Sequence, residues 1–181
     1  MAAARRLIEG DRMMRAKAYK GWGIMMLLGN DIHNRTLGLV GLGRIGMAVA
    51  QRAKGFGMRV LYSDIQRIPV EIERTLELTY VPLVDLLKES DFISLHVPLL
   101  PKTQHLIGEK EFSLMKPTAI IINTSRGPVI DESALVRALK SHRIAAAGLD
   151  VYENEPQLAP GLEECDNVVL APHIASASVE T

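Results

Sequence analysis

Short apolar runs, each closed by glycine, proline or a charged residue, recur along most of the chain. Residues 36–41, 58–63, 78–81, 92–96, 119–123, 145–151 and 168–171 are too short for independent helices. They also lack polar–apolar alternation, which marks strands covered on both faces. Segments 45–56, 82–89, 109–115 and 131–141 between them have helical character. Pro82 suits a first helical turn, and Asp131 suits an N-cap. Strand and helix in alternation predict an α/β fold built on a doubly wound parallel sheet with three layers. Residues 2–19 read as an additional N-terminal helix, with a partial apolar stripe at Ala4, Leu7, Ile8, Met14 and Ala18 weakened by Gly10. The irregular stretch 152–167 is long for a passive connection, and is therefore functional or mobile.

Charge changes this picture little. Lysine plus arginine equals aspartate plus glutamate at 21 each, so no broad field draws in nucleic acid. No apolar run approaches the length of a membrane span. The N-terminus carries arginines without a long apolar centre, and Glu9 and Asp11 do not suit a transit peptide. The expectation is a soluble, cytoplasmic protein. Cys165 is the one cysteine, which excludes an internal disulfide. Its acidic neighbours oppose a reactive thiolate, so it reads as an incidental thiol.

The first strand runs into Gly41-Leu42-Gly43-Arg44-Ile45-Gly46, and a helix follows. Gly41 permits a tight turn, Gly43 admits a pyrophosphate to the backbone, and Gly46 lets the helix pack close to the strand. The N–H groups at the helix start then meet the phosphates. Asp64 ends the next strand, about twenty residues on, where a carboxylate accepts ribose hydroxyls. Arg44 adds charge for the pyrophosphate. These features specify a Rossmann-type sheet and a dinucleotide. A carboxylate at 64 repels a 2′-phosphate, which favours NAD over NADP, although Arg67 nearby softens that preference. The whole chain, 1–181, reads as a single dinucleotide-binding domain, with a helical segment over 1–22 and the Rossmann core over 33–175.

Further polar residues fall where strands end: His96, Arg126, Asp150 and His173, with Glu155 in the irregular stretch. Taken singly, each has an ordinary reading. His96 lines a cleft, Asp150 serves a turn, Glu155 is a solvated charge, and His173 is a satisfied core histidine. Together they suit reduction of a ketone. A histidine protonates the developing alkoxide, a carboxylate orients it, and a guanidinium grips a substrate carboxylate.

At these residues the chain resembles the D-2-hydroxyacid dehydrogenase family, in its cofactor-binding domain. The resemblance is carried by 41–46 with Asp64, by 90–91 and 96–99, by Asn123-Thr124-Ser125-Arg126-Gly127, by Gly148-Leu149-Asp150-Val151, by Glu155-Pro156 and by Ala171-Pro172-His173-Ile174. It implies that Arg126, Glu155 and His173 are catalytic. It implies cofactor contacts at Gly41, Gly43, Arg44, Ile45, Gly46, Asp64, His96, Val97, Pro98, Thr103, Thr124, Ser125, Arg126, Asp150, His173 and Ser176, with NAD as cofactor and no metal. Arg126-Gly127-Pro128-Val129 is most similar to glyoxylate and hydroxypyruvate reductases, so a small 2-keto or 2-hydroxy acid is the implied substrate. The family's substrate-binding domain is absent from these residues, so the chain by itself is expected to bind NAD with little turnover. A non-catalytic NAD-binding regulatory module is the alternative. The resemblance also implies a homodimer. Trp22, Met13, Met14, Met25 and Met26 suit a buried contact between subunits or an internal core.

Overall fold

A strand that is apolar on both faces must be covered twice, and the fold does this with helices above and below one sheet. The computed structural model describes residues 1–179. Its strands are β1 (Thr36–Val40), β2 (Arg59–Ser63), β3 (Leu78–Tyr80), β4 (Phe92–Leu95), β5 (Ile120–Asn123), β6 (Ala146–Leu149) and β7 (Val168–Leu170). All pair in parallel, in the order β3-β2-β1-β4-β5-β6-β7. The helices are α1 (Ala2–Arg5), α2 (Leu7–Arg15), α3 (Arg44–Ala53), α4 (Val70–Leu76), α5 (Leu83–Glu89), α6 (Glu109–Leu114) and α7 (Glu132–Lys140). The expected three-layer doubly wound sheet is what the chain forms.

Two apolar layers follow from the two faces. On one, Val40, Ile93, Leu95 and Ile121 meet Leu86, Leu87, Phe112, Leu135 and Leu139 from α5, α6 and α7. On the other, Leu37, Leu39, Phe92 and Ile120 meet Ala50 and Ala53 of α3 and Ala4 of α1. Neighbours such as Ile120 and Ile121 thus face opposite layers, as strand geometry dictates. In β1, Gly38 faces α5 at close range: a Cβ there would overlap Ser90 Oγ and a Leu86 methyl.

Two elements differ from expectation. The N-terminal helix is two helices, and it stops at Arg15 rather than near residue 19. The break is at Arg6, in the left-handed region at φ 51°. Gly10, the suspected weak point, lies inside α2. The cause is tertiary. The Ala4 carbonyl accepts from the Asn30 amide at 2.8 Å, with Gly29 packed against it, so that carbonyl is diverted from continuing the helix. The second difference is α4, unexpected because Val70 and Ile72 on it are exposed. Its Glu73 is buried instead, accepting from Arg67 Nε and Nη2 and from the Tyr62 hydroxyl at 2.7–2.8 Å. Arg67 and Tyr62 hold the Glu73 carboxyl down to about 2.

The core reading of Trp22 does not hold, since its side chain is 80% exposed and Met25 is 72% exposed. Among the described residues no helix is long and apolar enough to cross a membrane.

The contact at Gly38 gives a paired expectation. Gly38→Ala overpacks the α5 face and lowers unfolding stability by about 1–3 kcal/mol. Gly148→Ala in β6 meets nothing within 4 Å and changes stability by less than about 0.5 kcal/mol. Urea unfolding midpoints of the two variants measure the contrast.

Candidate active site

The turn after β1 is shaped by what its glycines lack. Gly41 adopts φ 91°, and a Cβ there would lie 2.8 Å from the His96 carbonyl oxygen. A Cβ on Gly46 would overlap the Gly41 carbonyl oxygen, so its absence lets α3 sit close against the end of β1. Gly43 is different. No protein atom stands within 4 Å of its absent Cβ, so the backbone there is open to a ligand. Gly43 is also the N-cap of α3, whose first turn presents unpaired N–H groups toward that space. Asp64, just past β2, accepts from the Leu42 amide through Oδ2 at 2.7 Å. The carboxylate is thereby locked to the glycine turn. The residues present therefore fit a dinucleotide: an open pyrophosphate cradle, with an acidic group held at its side.

Arg67 is not free to favour a 2′-phosphate. Two of its nitrogens bind Glu73, and its guanidinium sits over the Tyr80 ring, 5.8 Å from the centroid.

A cleft of about 970 Å³ extends from this turn along the carboxyl edge of the sheet. Gly43, Arg44 and Ile45 line one side, and His96, Val97, Pro98, Thr124, Ser125 and Arg126 line the other. Ile45 is 66% exposed, an apolar side chain offered to the cleft. His96 is held by Ser94 Oγ at 2.9 Å, and burial pushes its imidazole below the ordinary pKa, toward the neutral form. That suits lining rather than proton transfer.

Arg126 follows β5 on a turn built by Asn123, itself 1% exposed. Asn123 Nδ2 donates to the Arg126 carbonyl, and its Oδ1 accepts from the Ser125 amide and hydroxyl. The guanidinium is exposed, and Nη1 donates to the Ser125 carbonyl at 2.6 Å. Among the described residues Arg126 forms no ion pair.

The acid–base candidates do meet. Glu155 Oε2 lies 3.0 Å from His173 Nδ1, and Oε1 accepts from the Tyr152 amide at 3.0 Å. The His173 contact, then the Tyr152 amide, hold the Glu155 carboxyl below its usual range, and Arg126 contributes from across the gap. The pair lines a second hollow of about 390 Å³ with Tyr152, Leu158, Leu170 and Pro172. His173 is neither core nor buried. Its backbone is left-handed at φ 56°, uncommon for a non-glycine residue. Asp150 holds the chain there, for its buried carboxylate accepts from the Ile174 and Ala175 amides at 2.8 and 2.7 Å. The Tyr152 hydroxyl donates to the Ala171 carbonyl on the same segment.

Among the expected cofactor residues, Gly41, Gly46, Asp64, Thr103, Asp150 and Ser176 line neither hollow. The Thr103 hydroxyl donates to the Pro98 carbonyl and accepts from the Leu100 amide, so it builds the loop beside the cleft. Ser176 is exposed in the turn beyond His173 and lines neither hollow. Conversely, Ala48, Val49, Arg52 and Leu99 line the cleft without having been expected there. The first three lie one helical turn or two past Ile45, a spacing that could have found them.

A family model described as the NAD-binding domain of D-isomer-specific 2-hydroxyacid dehydrogenases matches residues 1–175. A glyoxylate reductase of Korarchaeum cryptofilum is 58% identical, covering 100% of this chain and 55% of the relative. One from Thermococcus litoralis is 54% identical, covering 99% and 55%. Among solved structures, the TT0316 protein from Thermus thermophilus superposes with a TM-score of 0.90 at 46% identity, covering 98% of this chain and 55% of the other. D-lactate dehydrogenase with NAD+ from Lactobacillus jensenii gives 0.84 at 39% identity, covering 98% and 56%. The chain thus spans about half the length of the relatives it matches. With a family model that spans residues 1–175 and a sheet edge that carries an open glycine cradle, the chain belongs to the D-isomer-specific 2-hydroxyacid dehydrogenases, as their NAD-binding domain.

Proposed function

We propose that this chain serves an enzyme that transfers hydride between NAD(H) and a small 2-keto acid, glyoxylate or hydroxypyruvate. The observation that carries the reading is the His173–Glu155 contact at the sheet edge that also bears Arg126, which forms no ion pair among the described residues. A pure cofactor sensor needs none of these three.

Bound NADH supplies the hydride. Arg126 receives the substrate carboxylate and polarises the adjacent carbonyl. Glu155 accepts from His173 Nδ1–H, which leaves the Nε2–H of the imidazolium to protonate the developing alkoxide. The proton therefore moves from His173 Nε2 to the substrate oxygen. Asp150 and Tyr152 orient this pair by holding the segment on which His173 sits. A substrate domain closing over the cleft would exclude water and complete the site, so turnover by this chain alone is expected to be low. A cytoplasmic location fits the reading.

NAD is favoured over NADP because a carboxylate stands at Asp64 and Arg67 is held by Glu73. The enzyme is further proposed to be a homodimer through the N-terminal segment. Met14, Tyr19, Trp22, Ile24, Met25 and Leu28 are all exposed there within fifteen residues, large apolar side chains that a partner subunit would cover.

Asp64→Ala weakens NADH binding by about tenfold or more, the loss of a charge-assisted hydrogen bond, and narrows the preference over NADPH. Fluorescence titration with both cofactors reads this, and unchanged preference sinks the cofactor assignment. His173→Gln, tested with a substrate domain restored, lowers glyoxylate reduction by about 10²–10⁴-fold. In the isolated chain it removes the main cause of the depressed Glu155 carboxyl, which then titrates higher in a carbon-13 NMR experiment. Trp22→Arg shifts sedimentation toward monomer, whereas identical sedimentation would rule out this surface.

A further inference from the structure

One buried carboxylate takes no part in the reaction above. Glu132 opens α7, and its side chain is 2% exposed. A carboxylate in the first turn of a helix ordinarily sits in water beside the free amides. This one points instead across to the segment after β6. Its Oε1 accepts from the Glu153 amide at 2.8 Å. The Glu153 carboxylate reaches back, with Oε2 3.4 Å from the Glu132 amide and Oε1 2.6 Å from His105 Nε2. Burial, and the nearby Glu153 and Glu155 charges, push the Glu132 carboxyl above its usual pKa, while the Glu153 and Ala159 amides oppose that rise.

The backbone geometry shows why a tether is useful here. Gly127, next to Arg126, packs directly on the peptide between Tyr152 and Glu153, where a Cβ would overlap the Tyr152 carbonyl. The irregular segment from Val151 to Leu162 has no ladder to hold it beyond the one isolated bridge between Asn154 and Gln157. Glu155 is two residues past the amide that Glu132 grips. Its Oε1 depends on the Tyr152 amide, one residue before that grip.

We propose that Glu132 is a positioning residue, whose buried carboxylate ties the segment after β6 to α7 and so keeps Glu155 against His173. This deepens the assignment of Glu155 and His173 as the acid–base pair and rests on it for its catalytic meaning. The tether itself is a property of this chain and is measured without turnover.

The test uses Glu132→Ala, Glu132→Asp and Glu132→Gln in the chain as described. Aspartate keeps the charge but is one methylene short of the Glu153 amide. Glutamine keeps an acceptor at the same reach. In the alanine and aspartate variants the Glu153 amide exchanges with deuterium about tenfold faster or more, while amides of β5 keep their rates. In the same variants the Glu155 carboxyl, followed by carbon-13 NMR, moves up toward the ordinary carboxylate range. Glutamine restores both readouts to those of the parent chain. If alanine at this buried site prevents folding, the aspartate variant carries the comparison. An unchanged Glu153 amide, an unmoved Glu155 titration, or a uniform acceleration through β5 in the aspartate variant overturns the proposal. Failure of the functional reading looks different. The tether would then behave as described, yet the parent chain with a substrate domain restored would not reduce a 2-keto acid.

Discussion

Parallel pairing obliges neighbouring strands to start and stop together. Here seven strands pair this way without interruption, so every carboxyl end lies along one edge. Residues far apart in the polymer are gathered there by the sheet alone: His96 after β4, Arg126 after β5, Asp150 after β6 and His173 after β7. The order β3-β2-β1-β4 then opens a crevice between β1 and β4, where successive connections leave in opposite directions. The glycine turn and His96 flank that crevice.

The loops leaving this edge are also joined to each other. His105 links to Glu153, Glu153 to Glu132, and the His105 amide donates to the Pro128 carbonyl. Among the described residues every buried side-chain nitrogen or oxygen has a hydrogen-bond partner. That matters because an unsatisfied buried polar group costs about 1–3 kcal/mol, a large part of a domain's net stability. The edge can therefore carry several charged groups at partial burial while remaining ordered.

Much of this was legible in the sequence, for physical reasons that differ by residue. Strands such as β1 and β5 declare themselves because burial on both faces demands unbroken apolar runs. The glycines of the turn do so because backbone contacts at Gly41 and Gly46 exclude any side chain. The Glu155–His173 contact was suggested by the chemistry of ketone reduction and by resemblance, since nothing local ties residues 18 apart across an irregular segment. The break at Arg6 was hidden because its cause, the Asn30 amide, is distant in sequence. Helix α4 was hidden because the residue that anchors it is an acid, Glu73, rather than an apolar one. Glu132 drew no reading from the sequence, and only the approach of the Glu153 amide singles it out.

The bond between Leu42 and Asp64 has an entropic consequence. With its carboxylate already clamped to the glycine turn, Asp64 is ordered in advance for the part proposed for it at a cofactor's ribose, which would remove one ordering cost of association. Affinity gained in this way comes from a smaller ordering cost rather than from an added contact.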